Sequence, residues 1–542
     1  MVKLFMSLRL SSDYKKGEGD KNMGVELLVQ RGIKLSVQKY PEKVAVIYKD
    51  KRITYSELDS RANRIANGIT AMGLMKGDKV GILLYNCSEF VEIYYGMAKA
   101  GIISVPINFR LAAPEIEYIV RNSDSKALIM GEDFIDRIDT IRPNLEMIAE
   151  RNYVVLGDRI PDYAIRYEDF LGKASDIEPD VEIKETDPYF IGYTSGTTGF
   201  PKGAVMPHRS IYDIVISHLI GRGVSPDDKY LLIMPLFHSN SVWHSNLLLF
   251  IGGAVCIYPS GGFSPTEILE IIQKEKITCT NMVPTMSNLM LSLPDKDRYD
   301  VSSMRWLVSS SAPLLTKTKE ELFSFFKHSK LYEGYGSTET GAVTSLSPED
   351  QLRKIRSIGK PYFGQEVRLL DENGNDVPIG EVGELYSRGP TQMKEYYKDP
   401  EKTRNAFRGE WLSAGDMASM DEEGYLYLVA RKQDMIISGG ENVYPTEVEE
   451  VLSKHPKVHE IAVIGVPDDK WGEALKAVVV LKPGEDATGE EIIKFCEGKL
   501  AGYKKPKSVD FIPASEMPKT PTGKILRRPL KEIYWKGKDT KI

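Results

Sequence analysis

The sequence has few cysteines, no long apolar run and no excess of basic residues. Its four cysteines, at positions 87, 256, 279 and 496, show neither paired spacing nor the spacing of a metal site. We therefore predict that they are reduced core residues of a cytoplasmic protein. The longest apolar run, residues 247–258, is too short to span a bilayer. A formal net charge of −6 argues against a nucleic-acid-binding protein that works through a basic surface.

The first residues also lack the features of a targeting signal. The opening segment MVKLFMSLRL has neither a long apolar region nor a small-residue cleavage site, so it does not read as a signal peptide. Residues 1–23 are polar and mixed in charge, which predicts a disordered tail, and Met23 is an alternative start. No internal repeat or low-complexity tract is visible. At 542 residues the chain is too long for one ordinary core, and we expect two or more domains.

What the chain does have is an alternation of short apolar strands and helical stretches from residue 24 to about residue 430. This alternation predicts an α/β fold with largely parallel sheets, and Ser56 and Ser88 are the expected N-caps of two helices. The dipeptide Asn373-Gly374 predicts a turn within a smaller β-rich subdomain. We place a large N-terminal domain at 24–431, followed by a small α+β domain at 432–542, with a hinge at 431–434.

Residues 193–203, YTSGTTGFPKG, are the most informative segment. Glycines let backbone N–H groups approach a ligand, hydroxyls add donors, and a lysine adds a mobile positive charge, so the segment suits a polyphosphate. It differs from the common phosphate loop, because no Gly-Lys-Ser/Thr follows Gly196 and Lys202 lies behind Pro201. Strand-like sequences on both sides predict a loop between two strands. The alternative is a flexible Gly/Ser/Thr linker, which rarely carries Pro-Lys-Gly between apolar strands.

Four further segments carry candidate chemistry: YEGYGSTET at 332–340, WLSAGD at 411–416, ARKQDMIISGGENVYP at 430–445 and PKTPTGKILR at 518–527. In the first, Tyr335 offers a ring for a base and Glu339 a carboxylate for Mg²⁺. In the second, Asp416 could accept ribose hydroxyls. Taken singly, a buried tyrosine beside a turn and an ordinary turn explain these two segments equally well.

In this order and spacing the five segments resemble the adenylate-forming superfamily, which includes acyl-CoA synthetases, adenylation domains of peptide synthetases and firefly luciferase. The resemblance runs from about Val25 to Leu530. It implies a large N-terminal domain of layered α/β subdomains with a β-rich subdomain, followed by a small mobile α+β domain. It also implies three ligands: ATP, Mg²⁺ and coenzyme A as a co-substrate.

The resemblance assigns a role to each matching position. Lys524 would contact the acyl carboxylate and the α-phosphate, with Thr338 on that phosphate. Glu339 would bind magnesium, and His238 would lie beside the acyl carboxylate. The residues assigned to the nucleotide and to coenzyme A are Thr194, Ser195, Gly196, Thr197, Thr198, Gly199, Lys202, Ser311, Ala312, Pro313, Gly334, Tyr335, Gly336, Ser337, Asp416, Arg431, Gly439 and Gly440.

Some positions depart from the family pattern. The family usually has glycine where this chain has Ser310 or Ser311. The hinge residue, usually Asp or Lys, is Gln433, which could change the balance between two domain conformations. Ala414 and Ala430 replace a Thr and a Gly. None of these changes removes a group that is assigned to the chemistry.

The leading hypothesis is an AMP-forming acyl-CoA synthetase that works through an acyl-adenylate. An amino-acid adenylation domain is disfavoured because HSNS after Phe237 lacks an Asp for an α-amino group. The alternatives are a ligase that loads an acyl carrier protein, a luciferase-like oxygenase, and a non-catalytic acyl or nucleotide sensor. The expected partners are a small carboxylic acid, ATP and CoA; a homodimer is left open.

The sequence says least about the acid itself. The expected pocket walls are His238, Trp243, Val283, Ser309 and Gly334. Gly334 leaves room in the pocket and Trp243 could shorten it, unless Trp243 simply packs in the core. This combination favours a medium acyl chain or a small aryl acid over acetate.

Overall fold

A computed structural model describes residues 25–194, 201–311, 314–438, 441–468, 471–497, 499–519, 523 and 525–535. The predicted tail at 1–23 lies outside these ranges. The α-helices, in chain order, are α1 Val29–Lys39, α2 Tyr55–Ala71, α3 Ser88–Ala100, α4 Ala113–Asn122, α5 Ile135–Ile141, α6 Tyr167–Gly172, α7 His208–Arg222, α8 Ser239–Leu249, α9 Pro265–Glu275, α10 Pro284–Leu291, α11 Thr316–Phe325, α12 Pro400–Ala406, α13 Pro445–Ser453, α14 Gly489–Lys494 and α15 Arg527–Trp535.

The strands alternate with these helices over most of the chain, as the sequence predicts. They are β1 Val44–Tyr48, β2 Lys51–Thr54, β3 Lys79–Leu83, β4 Ile103–Pro106, β5 Ser125–Gly131, β6 Tyr153–Leu156, β7 Ala164–Arg166, β8 Pro188–Thr194, β9 Lys202–Pro207, β10 Lys229–Leu232, β11 Ala254–Ile257, β12 Cys279–Met282, β13 Trp306–Ser309, β14 Lys330–Ser337, β15 Gly341–Leu346, β16 Ser357–Pro361, β17 Glu366–Leu370, β18 Gly383–Arg388, β19 Glu395–Tyr396, β20 Phe407–Arg408, β21 Trp411–Met420, β22 Leu426–Arg431, β23 Ile436–Ser438, β24 Glu441–Val443, β25 Val458–Asp468, β26 Gly472–Leu481 and β27 Ser508–Phe511.

Two large sheets carry the N-terminal part of the chain. One has the strand order β19-β9-β8-β4-β3-β5-β6-β7, in which β3, β4, β5 and β8 run parallel. The other runs β17-β18-β21-β22-β16-β15-β14-β13-β12-β10-β11-β1-β2. Its strands β10, β12, β13 and β14 are parallel, so their carboxyl ends meet at one edge. Ser309 and the glycine-rich end of β14 lie at this edge.

The β-rich subdomain and the small domain also form as predicted. Strands β17 and β18 pair antiparallel, and Asn373-Gly374 lies in a turn closed by the Gly374 N–H to the Asp371 carbonyl oxygen, at 3.1 Å. Beyond residue 431, β25 and β26 form a long antiparallel pair, with β27 parallel to β26. Helix α13 packs on β25. None of the helices in the described ranges combines the length and apolarity needed to cross a membrane.

Both predicted N-caps are wrong. The N-cap of α2 is Thr54, whose Oγ1 accepts the Glu57 N–H while Glu57 Oε2 accepts the Thr54 N–H at 2.7 Å. This reciprocal capping box satisfies two backbone donors, which Ser56, already inside the helix, cannot do. Helix α3 starts at Ser88 itself, and its N-cap is Cys87, which makes no side-chain cap bond.

Candidate active site

The phosphate-loop segment joins two antiparallel strands. Strands β8 and β9 are in register with Thr194 opposite Lys202, which confirms that the segment links two strands and does not open a helix. Its central residues lie outside the described ranges; they include Ser195, Gly196, Thr197, Thr198 and Gly199. Thr194 and Lys202 therefore mark the base of the loop.

Glu339 lies against this base. Its Oε1 accepts the Thr194 hydroxyl at 2.9 Å and the Tyr396 hydroxyl at 3.1 Å. The Lys202 ammonium lies 5.1 Å from the centre of the Tyr396 ring. Burial and the neighbouring Lys402 lower the pKa of Lys202, and Glu339 opposes them. One carboxylate and two ammonium groups, from separate parts of the chain, thus lie near the base of the loop.

The Glu339 carboxylate fits a magnesium site of the kind that nucleotides complete. Both groups that bond to Oε1 are neutral hydroxyls, so they leave the negative charge of the carboxylate in place. Within the described ranges no group of three or more His, Cys, Asp and Glu side chains could hold a metal ion. Magnesium usually takes one or two carboxylates plus phosphate oxygens, and Glu339 can supply such a ligand.

Thr338 is held where the two large sheets meet. Its hydroxyl and that of Ser239 are 2.9 Å apart, which ties β14 to the start of α8. Gly192 on β8 makes this approach possible, because a Cβ built there would lie only 2.6 Å from Thr338 Cγ2. The next segment is a turn in which Ser337 and Thr340 exchange backbone-to-hydroxyl hydrogen bonds, each 3.1 Å long. Gly336 precedes this turn, packed against the Gly341 carbonyl.

Three predicted nucleotide residues lie together, joined by one hydrogen bond and one ion pair. The Tyr335 hydroxyl donates to Asp416 Oδ2 at 2.7 Å, and Arg431 Nε lies 3.1 Å from Asp416 Oδ1. Asp416 and Arg431 are directly opposed on β21 and β22, so strand register places them together. Burial, and then Asp416, raises the pKa of Tyr335 well above its usual value. A carboxylate has about four lone-pair positions, so Asp416 can accept further hydroxyl donors.

Ser311 is the position at which the glycine of the family pattern is replaced. It has φ of 70°, in the left-handed region that favours glycine, and so it is the position where glycine would be least strained. Ala312 and Pro313, which follow it, lie outside the described ranges.

Of the residues expected around the acid, His238, Val283 and Ser309 lie at the ends of α8, α10 and β13, Trp243 lies within α8 and Gly334 within β14. His238 is the N-cap of α8, and its Nε2 is buried without a partner among the described residues. Burial and, to a smaller extent, the positive charge of Arg110 lower the pKa of His238 to about 4, so the ring is neutral near pH 7. Val283 and Ser309 are 2% exposed. Trp243 is 6% exposed and packs in the main hydrophobic cluster. This agrees with the alternative that Trp243 is a core residue and not a pocket wall.

Lys524 lies outside the described ranges, as do Gly439 and Gly440. The residue before it, Gly523, lies against the N-terminal part of the chain, since a Cβ built there would be 3.0 Å from Thr285 Oγ1. Thr285 lies in α10, just after Val283. On the other side of Lys524, Arg527 forms ion pairs with Glu449 at 2.6 Å and with Asp434 at 3.3 Å. Asp434 belongs to the predicted hinge, whose residues 432–434 form a 3₁₀ turn.

Tyr396 and Lys402 were not predicted from the sequence. Tyr396 reaches Glu339 because β19 pairs with β9, opposite Ala204, across almost two hundred residues of sequence. Lys402 lies in α12, which follows β19. No local pattern marks either residue, and only strand pairing across the sheet reveals them.

Comparisons with known proteins agree with this geometry. Residues 33–397 match the family model of the AMP-binding enzyme, and residues 447–524 match that of the AMP-binding enzyme C-terminal domain. The long-chain-fatty-acid–CoA ligase FadD13 of Mycobacterium tuberculosis is 37% identical over 95% of this chain and 99% of its own length. A feruloyl-CoA synthase from Amycolatopsis is 35% identical over 90% and 95%.

A solved structure also matches over nearly the whole chain. The anthranilate CoA ligase AuaEII, determined with anthranoyl-AMP, superimposes with a TM-score of 0.86 at 30% identity, over 95% of this chain and 98% of that one. The chain belongs to the AMP-binding enzyme family, in the acyl-CoA synthetase branch of the adenylate-forming superfamily.

Proposed function

We propose that this chain is an AMP-forming acyl-CoA synthetase that acts on a medium-chain fatty acid or an aryl acid. The observation that carries the proposal is the convergence of three groups at one sheet edge. Tyr335 and Asp416 form a hydrogen-bonded pair that we assign to the nucleoside, Glu339 and Lys202 lie at the base of the phosphate loop, and Thr338 lies between Tyr335 and Glu339, just after the end of β14. A nucleoside triphosphate is the ligand whose base and ribose, α-phosphate, and terminal phosphates match these three groups in this order.

In the first step a carboxylate oxygen of the acid attacks the α-phosphorus of ATP. The bond from this phosphorus to the bridging oxygen breaks, and pyrophosphate leaves. Negative charge develops on the phosphoryl oxygens, and we assign its stabilisation to Lys524 and the Thr338 hydroxyl. Magnesium, held by Glu339, would neutralise phosphate charge. The neutral His238 imidazole would line the carboxylate side without repelling Lys524.

In the second step the thiolate of CoA attacks the carbonyl carbon of the acyl-adenylate, and AMP leaves. We propose that residues 432–542 swing between the two steps about a hinge at 431–434. The swing would withdraw Lys524 and bring Gly439 and Gly440 to the pantetheine channel. The Arg527 ion pairs to Asp434 and Glu449 support this proposal, because they couple the Lys524 segment to the hinge turn within one domain.

A panel of acids of rising length, with benzoate and cinnamate, tests the proposal. Purified protein is incubated with ATP, Mg²⁺, CoA and each acid, while pyrophosphate release and acyl-CoA formation are measured separately. Medium-chain or aryl acids should give both products in equal amounts. Pyrophosphate release without acyl-CoA would point to a carrier-protein ligase, and no release with any acid would point to a sensor. Cytoplasmic location and a homodimer remain predictions, which fractionation and sedimentation test.

A further inference from the structure

Arg222, the last residue of α7, is buried beside the predicted acid pocket. It is 6% exposed, and no carboxylate of the described residues lies within 4.0 Å of its nitrogens. Its Nη1 donates to His244 Nε2 and its Nη2 to the Tyr362 hydroxyl, both at 2.9 Å. The guanidinium also lies 5.7 Å from the centre of the Trp306 ring. All of these partners are neutral groups.

The histidines nearby do not offset the charge. His244 accepts from Arg222 through Nε2, so its Nδ1 carries the hydrogen and donates to the Asn240 carbonyl at 2.9 Å. Burial, and then Arg222, lowers the pKa of His244 to about 3. His218 stacks on His244 at 5.4 Å, and the same two causes lower its pKa well below the usual value. Both rings are therefore neutral, and the cluster keeps one uncompensated positive charge.

The C-terminal end of α7 attracts this charge, but only in part. A helix C-terminus stabilises a cation within its last turn, whereas removing an ion from water costs considerably more than that attraction returns. Two donors or acceptors in the cluster, Arg222 Nε and His218 Nδ1, also lack a partner among the described residues. An anionic group bound beside this cluster would therefore stabilise the buried positive charge.

Gly334 connects this cluster to the acid pocket. A Cβ built on Gly334 would have only two heavy atoms within 4 Å beyond its own neighbours, the Tyr362 hydroxyl at 3.9 Å and Arg222 Nη2 at 4.0 Å. Successive strand residues point to opposite faces, so Gly334 faces Arg222 while Tyr335 faces Asp416. The space that the glycine leaves therefore opens onto the guanidinium.

The distance along α8 fits the far end of a bound acid. His238, at the start of α8, lies beside the predicted site of the reacting carboxylate, and His244 bonds to Arg222. Six residue steps separate these two histidines, which at a rise of about 1.5 Å per residue is roughly 9 Å along the helix. Through its bond to His244, Arg222 therefore lies near the end of α8 that is remote from the predicted site of the chemistry.

We propose that the natural substrate is a dicarboxylic acid and that Arg222 binds its second carboxylate. This inference rests on the proposed function and names the class of acid. A carboxylate neutralises the buried guanidinium and can receive a bidentate hydrogen bond, neither of which a methyl end group can do. Gly334 is needed because a larger side chain would fill the space between the acid and Arg222.

Matched acids test this directly, since each pair differs only at the far end. We compare kcat/KM for adipate with heptanoate, and for terephthalate with 4-methylbenzoate, with 4-hydroxybenzoate as the neutral oxygen compound. The wild type should prefer the dicarboxylate of at least one pair by tenfold or more. Arg222→Met should abolish or invert this preference, and Arg222→Lys should restore part of it. Arg209→Met, at the exposed start of the same helix, should leave the preference unchanged.

Equilibrium binding of the same acids to wild type and Arg222→Met separates the inference from the proposed function, because it needs no turnover. Tighter dicarboxylate binding that Arg222→Met removes supports the inference even if no acid releases pyrophosphate. Two results would overturn the inference. One is a wild type that binds the methyl or hydroxyl compounds more tightly than the dicarboxylates, and the other is an Arg222→Met variant that loses the same affinity for both members of a pair. Binding of AMP, measured alongside, shows that each variant is folded.

Discussion

Replacing Asp416 with Asn tests the nucleoside side of the site most sharply. Asp416 is 7% exposed, accepts the Tyr335 hydroxyl and forms an ion pair with Arg431, and its remaining lone pairs are assigned to the ribose hydroxyls. Asn keeps the size and one acceptor oxygen but removes the charge. The variant therefore isolates the charge from the shape of the site.

The expected size follows from the bonds that weaken. A hydrogen bond to a charged group contributes about 1.5–3 kcal/mol net, against about 0.5–1.5 kcal/mol for a neutral one. Two ribose hydroxyls would each lose about 1 kcal/mol, so ATP affinity should fall by about 2 kcal/mol, or roughly thirtyfold. The Arg431 side chain is 40% exposed, so solvent screens its ion pair with Asp416. Weakening this ion pair therefore adds little to the expected loss of affinity.

Titration calorimetry with ATP and with 2′-deoxy-ATP measures this effect. The wild type should bind 2′-deoxy-ATP at least about tenfold more weakly than ATP, the scale of one lost hydrogen bond to a charged group, and the difference should shrink in Asp416→Asn, because the partner of the hydroxyl has weakened. Asp376→Asn, an exposed carboxylate of the same subdomain paired with Arg368, is the matched control and should leave both affinities unchanged. An ATP affinity within threefold of wild type in folded Asp416→Asn would refute the assignment to the ribose.

Three further predictions concern the phosphate side and stability. Glu339→Gln should raise the magnesium concentration needed for half-maximal rate by about tenfold, the scale of one charged ligand bond; an unchanged magnesium titration would remove Glu339 from the metal site. Gly192→Ala should cost about 1–3 kcal/mol in stability, seen in urea unfolding, and lower the adenylation rate by displacing Thr338; Gly172→Ala, which has open space around it, is the control and should change neither. His208 is 1% exposed with a pKa lowered to about 3 by burial, so the unfolded chain, with a pKa of about 6.5, takes up a proton first as the pH falls. The free energy of unfolding should therefore fall below about pH 6.5 by up to about 1.4 kcal/mol per pH unit from this group, and His208→Gln should flatten that slope.

Motif order predicted the family and the strand-flanked loop, and both predictions are confirmed. It also selected Tyr335, Asp416 and Arg431, which the fold brings together; their role toward the nucleotide stays a prediction. Those features are local, because each motif is a strand end or turn whose residue types are set by its own backbone. Ser311 illustrates the limit: the sequence narrowed the missing glycine to two positions, and only the φ of 70° chose between them. The N-caps of α2 and α3 were missed because capping depends on where the helix begins, which the apolar pattern does not fix.

Residues that arrive through long-range pairing could not be predicted. Tyr396 reaches Glu339 by strand pairing, and Arg222 reaches His244 by the packing of α7 against α8. Neither is marked by a motif, and an arginine near a helix end usually lies in solvent. That no carboxylate of the described part of the chain pairs with Arg222 is visible only in the folded structure.

The role proposed for Lys524 is to stabilise the negative charge that develops on the phosphoryl oxygens during adenylation. ATP–pyrophosphate exchange measures the adenylation step alone. It is compared between wild type and Lys524→Ala, with an acid that the wild type converts to acyl-CoA. We expect a loss of about a hundredfold or more, the scale of removing one preorganised charge-stabilising group, while acyl-CoA formation from supplied acyl-adenylate stays near the wild-type rate. Equal exchange rates in the two proteins would contradict the claim.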